Sequence, residues 1–159
     1  MSTLNRRTFI ISTAALAALP PSMAKAEAVS VDMLNKDPDG KGRNIFKPRL
    51  LKVQPGDTIT FVPSDKGHNS ASIKGMTPEG GETWDGKINK EVSVTLTKPG
   101  FYGYKCTPHE AGGMVGLIIV EGDGKLDNLE AAKKVRAKGR AKKIWKEIWA
   151  EAEEQGLTA

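Results

Sequence analysis

From Val29 to Val120 the apolar and β-branched residues come in short runs, and each run stops at a group of turn formers. Thr58-Ile59-Thr60-Phe61-Val62 and Glu91-Val92-Ser93-Val94-Thr95-Leu96 alternate with a period of two, which puts one side of an extended chain inside and the other in water. Extended segments are predicted at 29–33, 50–53, 58–62, 91–96, 101–104 and 114–120. Between them stand Asp37-Pro38-Asp39-Gly40, Gln54-Pro55-Gly56-Asp57 and Lys98-Pro99-Gly100, where Pro presets φ and Gly tolerates a positive one. The stretch 76–90 lacks alternation and reads as a long loop with a turn of helix. Many short strands with regular punctuation indicate an antiparallel sandwich or barrel.

After Gly122-Asp123-Gly124 the period changes from two to 3.6. Leu126, Leu129, Ala132, Lys133, Val135 and Arg136 share one helical period, with Asp127 or Asn128 available as its cap and Gly139 as its end. A second helix is predicted over 140–155, with Ile144, Trp145, Ile148, Trp149 and Ala152 forming an apolar stripe. Two tryptophans on one stripe need an apolar surface to cover, so both helices are expected to pack on the sandwich. The pattern therefore divides the chain into a β domain at 27–122 and a helical pair at 123–159 belonging to the same domain.

The first 26 residues follow different rules. Asn5-Arg6-Arg7-Thr8-Phe9-Ile10 opens an apolar run that ends at Leu19, followed by Pro20-Pro21 and a small-x-small site at Ala24-Lys25-Ala26. This is the layout of an export signal, cleaved near Ala26 to Ala28, and its paired arginines resemble the twin-arginine type. The apolar run is about eleven residues long, well short of the roughly 20 that span a bilayer as a helix. No membrane anchor is expected, and the exported chain should work in the periplasm. Composition adds little against this picture. The whole chain carries a formal +5, but Arg6, Arg7 and Lys25 fall in the leader, leaving +2, too mild for a nucleic-acid partner. The basic run at 125–143 reads as a solvated helix face.

Cysteine use is more informative. Cys106 is the only cysteine, so no internal disulfide is possible, and in an oxidising compartment a lone thiol is expected to be buried or bound to a metal. It lies in Tyr104-Lys105-Cys106-Thr107-Pro108-His109-Glu110-Ala111-Gly112-Gly113-Met114, which places a thiolate, an imidazole and a thioether within nine residues. The only other histidine, His68, stands in Lys66-Gly67-His68-Asn69 just after a predicted strand. Two His and one Cys with a weak axial Met form the ligand set of blue-copper electron-transfer sites. Zinc prefers four N, S or O donors and rarely takes a thioether, so Met114 favours copper, cycling between Cu(I) and Cu(II). Pro108 has no N–H to donate to the Cys106 sulfur, and Asn69 is placed to tie the His68 loop to the Cys106 loop. A copper chaperone or storage protein is the alternative, but it would want several exposed donors. An enzyme would need an open coordination position or a second metal with its own histidines.

At these residues the chain resembles the pseudoazurin family of cupredoxins. The likeness runs through Met33-Leu34-Asn35-Lys36, Val53-Gln54-Pro55-Gly56-Asp57, Gly67-His68-Asn69, Ile73-Lys74-Gly75-Met76, Lys87-Ile88-Asn89, Pro99-Gly100, the Cys106 loop and Gly113-Met114-Val115-Gly116. It implies an eight-stranded Greek-key sandwich with two C-terminal helices. It also implies a monomeric carrier of single electrons among redox proteins such as cytochromes c and nitrite reductase. In that family the residue matching His109 is the exposed electron port, and lysines around it meet acidic partners, here Lys66, Lys74, Lys87 and Lys105. Two positions depart from the family pattern: Glu110 and Gly112 stand where apolar or aromatic side chains are expected. The loop 37–44, basic at Lys41 and Arg43, is slightly longer than usual.

Overall fold

The computed structural model describes residues 27–40 and 42–159; the expected leader and Lys41 lie outside them. Eight strands form two four-stranded sheets. They are β1 (Ala28–Lys36), β2 (Arg43–Lys47), β3 (Leu50–Val53), β4 (Asp57–Val62), β5 (Ala71–Ser72), β6 (Val92–Leu96), β7 (Gly100–Lys105) and β8 (Val115–Val120). One sheet runs β2-β1-β4-β6 and the other β3-β8-β7-β5. Two pairings are parallel, β1 with β4 (Val31 opposite Phe61) and β3 with β8 (Leu51 opposite Ile118), so the connections cross between the sheets.

The alternation in β4 does what its period dictates. Asp57, Ile59 and Phe61 are buried, while the hydroxyls of Thr58 and Thr60 pair across the outer face with Thr95 and Ser93 of β6 at 2.8 Å each. Between the sheets lies an aromatic core in which Tyr104 meets Phe46 and Phe61 edge-on at ring distances of 4.8 and 5.0 Å, and Trp84 stacks on Phe61. Cys106 and Met114 belong to this same core.

Strands β7 and β8 do not alternate. Nearly every residue in them is buried, because their second face is covered by the helices α1 (Leu129–Lys134) and α2 (Ala141–Glu154). Met76, Phe101, Val115, Leu117 and Ile119 meet Ala132, Trp145, Ile148 and Ala152 in a second core. The tryptophan stripe of α2 is thereby satisfied, each large apolar side chain contributing about 1.5–3 kcal/mol on burial. No helix among the described residues is long and apolar enough to cross a membrane.

Four predicted details are corrected. The first helix does not reach Gly139: a 3₁₀ turn at Lys125–Asn128 leads into α1, and the chain turns extended at Val135 (φ −63°, ψ 126°). Val135 leaves the helix to pack beside Gly75 and the second core. Neither Asp127 nor Asn128 caps that helix through its side chain. Instead Asn128 accepts the Phe101 N–H (2.9 Å) and donates to the Phe101 carbonyl (2.8 Å), completing the edge of β7 beyond the reach of the two-residue β5. Finally, Arg43 sits in β2 rather than in a loop, and Met114 immediately precedes β8.

Candidate metal centre

The β7–β8 hairpin builds most of the site. Past the last strand pair, Lys105 opposite Val115, the Cys106 N–H still donates to the Met114 carbonyl at 3.0 Å, so the residues at both ends of the loop are held as if in the ladder. Within the loop a 3₁₀ turn spans Thr107–His109, closed by the His109 N–H to the Cys106 carbonyl, and the Met114 N–H returns to the His109 carbonyl (both 3.1 Å). Pro108 occupies the first turn, where a missing N–H costs nothing. Cys106 and Met114 are fully buried, whereas His109 is partly exposed.

His68 comes from the other sheet, on the turn after β4. Its carbonyl accepts the Asn89 N–H (2.8 Å), and the Asn89 side chain accepts the Gly67 N–H (2.6 Å), so one residue of the neighbouring loop fastens its backbone twice. The ring is fixed as well. His68 Nε2 lies 2.9 Å from Asn35 Oδ1, which can only accept, so the proton is on Nε2 and the Nδ1 lone pair is free. Asn69 ties this loop to the cysteine loop: its Oδ1 accepts the Thr107 N–H (2.8 Å) and its Nδ2 donates to Thr107 Oγ1 (3.0 Å) and to the Gly86 carbonyl (2.8 Å).

These elements bring three donor atoms to one point. His68 Nδ1 and His109 Nδ1 are 3.1 Å apart, and Cys106 Sγ lies 3.7 Å from the first and 3.5 Å from the second. A point equidistant from the three is about 2 Å from each, the bond length of a first-row metal ion to imidazole nitrogen. Two imidazoles and a thiolate at that spacing suit copper, and the buried Met114 stands at the far end of the same loop.

The comparisons with known proteins agree with this donor set. Residues 31–121 match the copper-binding proteins of the plastocyanin/azurin family. A pseudoazurin from Methylorubrum extorquens is 46% identical over 125 residues, 79% of this chain and 82% of that protein. Another from Paracoccus pantotrophus is 44% identical over 131 residues, 82% of this chain and 86% of that protein. A solved pseudoazurin from Sinorhizobium superposes with a TM-score of 0.74 at 51% identity, covering 80% of this chain and 97% of the other. The chain belongs to the pseudoazurin branch of this copper-binding family. It is a cupredoxin electron carrier with one copper in a His–Cys–His site.

Family membership gives the electrostatics around the three donors their meaning. Burial pushes the Cys106 thiol up from its ordinary value, against the pull of the backbone N–H groups of Asn69 and His109. The His68 imidazole is pushed down, first by burial and then by the neighbouring His109 ring. Burial thus favours the neutral forms of the Cys106 thiol and the His68 imidazole in the metal-free chain, and binding a metal through the sulfur releases the thiol proton. Of the four lysines singled out in the sequence, Lys66, Lys74 and Lys87 are exposed. Lys105 is different: its Nζ lies 2.7 Å from Glu110 Oε2, and both side chains are half-buried. Sequence reasoning missed the roles of Asn35 and of this ion pair. Asn35 was visible only as part of a family-like segment, because its partner lies 33 residues away.

Proposed function

We propose that the protein shuttles single electrons in the periplasm between redox proteins such as cytochromes c and nitrite reductase. Its type 1 copper is held by His68, Cys106 and His109, with Met114 as the weak axial donor. Residues 1–26 direct export and are removed, and 27–159 act as one monomeric domain. The observation that carries this reading is the triangle of donor atoms, two nitrogens and one sulfur 3.1 to 3.7 Å apart, with one of its histidines reaching the surface.

Copper in such a set gains and loses an electron with little change of geometry. The chain's own residues supply the rigidity: Asn35 holds the His68 ring, Asn69 locks the two loops together, and the hydrogen bond from Cys106 to Met114 closes the hairpin beneath them. Pro108 withholds a hydrogen bond from the sulfur, leaving the thiolate electron-rich and the potential lower. The partly exposed His109 is the way out for the electron in this reading, and the exposed Lys66, Lys74 and Lys87 are the cations that would attract an acidic partner.

The test is spectroscopic. Loading the exported protein with Cu(II) should produce an intense visible thiolate-to-copper band with narrow hyperfine splitting in electron paramagnetic resonance, bleached on reduction and lost in Cys106→Ser. A spectrum indifferent to Cys106 overturns the proposal.

A further inference from the structure

The ligand loop is gripped from outside the sandwich. Ala111 and Gly112 face solvent, and the backbone of 111–113 is held from two sides: the Val115 N–H of β8 donates to the Gly113 carbonyl at 3.0 Å, and the Arg140 N–H, just before α2, donates to the Ala111 carbonyl at 2.8 Å. Around that bond the chains come too close for side chains. At Gly139, whose φ is +55°, a Cβ would stand 2.5 Å from the Ala111 carbonyl oxygen. At Gly113, with φ +100°, a Cβ would stand 2.8 Å from Ile144 Cγ1 and 3.5 Å from Arg140 Cγ. Ile144 is in turn packed on the second core, where Ala141 and Ile148 are fully buried.

We propose that residues 139–144, at the start of α2, are a clamp on the copper loop that sets the position of the Met114 sulfur through Gly113. The inference rests on the reading of Met114 as the weak fourth donor. Gly113 is the residue before Met114, and the Met114 backbone is otherwise fixed by the His109 carbonyl on one side and the Cys106 N–H on the other. A long axial bond has a shallow energy minimum, so its length is set by packing rather than by the metal, and axial interaction tunes the potential of such sites. Gly139, Arg140 and Ile144 are positioning residues in this account, because none of them offers a donor to the metal. The helical pair thereby has a role in the redox site as well as in covering β7 and β8.

The test compares Ile144→Ala and Gly139→Ala with Ile148→Ala, which loosens the same helix one turn further on without touching the loop. In the metal-free chain, amide hydrogen exchange at Gly113 and Met114 should rise roughly tenfold in the first two variants and stay unchanged in the third. In the copper-loaded chain, release of the clamp lets the sulfur relax toward the metal, which favours the oxidised ion. The potential should fall and the shorter-wavelength charge-transfer band should gain on the longer one, again only in the first two. Unchanged exchange at these amides overturns the clamp. Faster exchange with an unchanged potential and band ratio overturns its control of Met114. A wild-type protein with no thiolate-to-copper band would instead refute the copper reading itself, while the exchange measurement would still decide the clamp.

Discussion

His68 has no exposed surface, and the cost of charging it there, together with the nearby His109 ring, holds its pKa below the ordinary 6.5. The opposing pull of Asp65 is smaller. A group whose folded pKa is depressed contributes stability that is full above the unfolded pKa and is lost as pH falls through the folded one. The metal-free protein should therefore lose stability to urea as pH drops below about 6.5. In His68→Gln that part of the pH dependence should disappear, and a wild-type profile flat from pH 7.5 to 5 would contradict the assignment. At this scale the His–Cys–His donors were legible in the sequence, because a lone cysteine and two histidines in strand-end loops suit few chemistries besides the binding of a soft metal ion. Which nitrogen of His68 faces the metal was not legible, because that depends on Asn35, brought beside it by the parallel pairing of β1 with β4.

Strands and helices were legible where one face meets water and illegible where packing overrides the local pattern. The alternation of β4 and β6 announced itself, and the stripe of α2 did too. Strand β2 escaped notice because Ile45 and Phe46 are its only apolar residues, and it exists by pairing with the edge of β1. The helical period through Val135 is real, but burying that side chain beside Gly75 outweighs one more turn of helix. Asn128 shows the same override, since its side chain serves the backbone of Phe101 rather than its own helix. Replacing it by Ala leaves a buried N–H and a carbonyl without partners, and should cost about 1–3 kcal/mol in chemical denaturation. Asn128→Asp, which keeps the acceptor for the Phe101 N–H but loses the donor, should fall between the two; a loss below about 0.5 kcal/mol for Ala would mean that water replaces the side chain.

Over the whole molecule the proposed docking turns on the exposed lysines and on the ion pair beside the ligand loop. Lys66, Lys74 and Lys87 project freely, while Glu110 holds Lys105 against the ligand loop. Glu110→Gln removes a negative charge and releases a positive one, so association with an acidic redox partner should accelerate several-fold at low ionic strength. The gain should vanish near 1 M salt, where the screening length falls to about 3 Å. Stopped-flow rates across a salt series check this, and an unchanged rate at low salt would place docking elsewhere. The sequence by itself determined the β-rich class, the helical pair and the donor residues, since these follow from periodicity and from the scarcity of cysteine and histidine. Tertiary structure alone decided the spacing of the three donor atoms, the pairing of Lys105 with Glu110, and the grip of Arg140 and Ile144 on the ligand loop. Each of these joins segments that local pattern does not relate, and their distances are set only when the two sheets and α2 pack together.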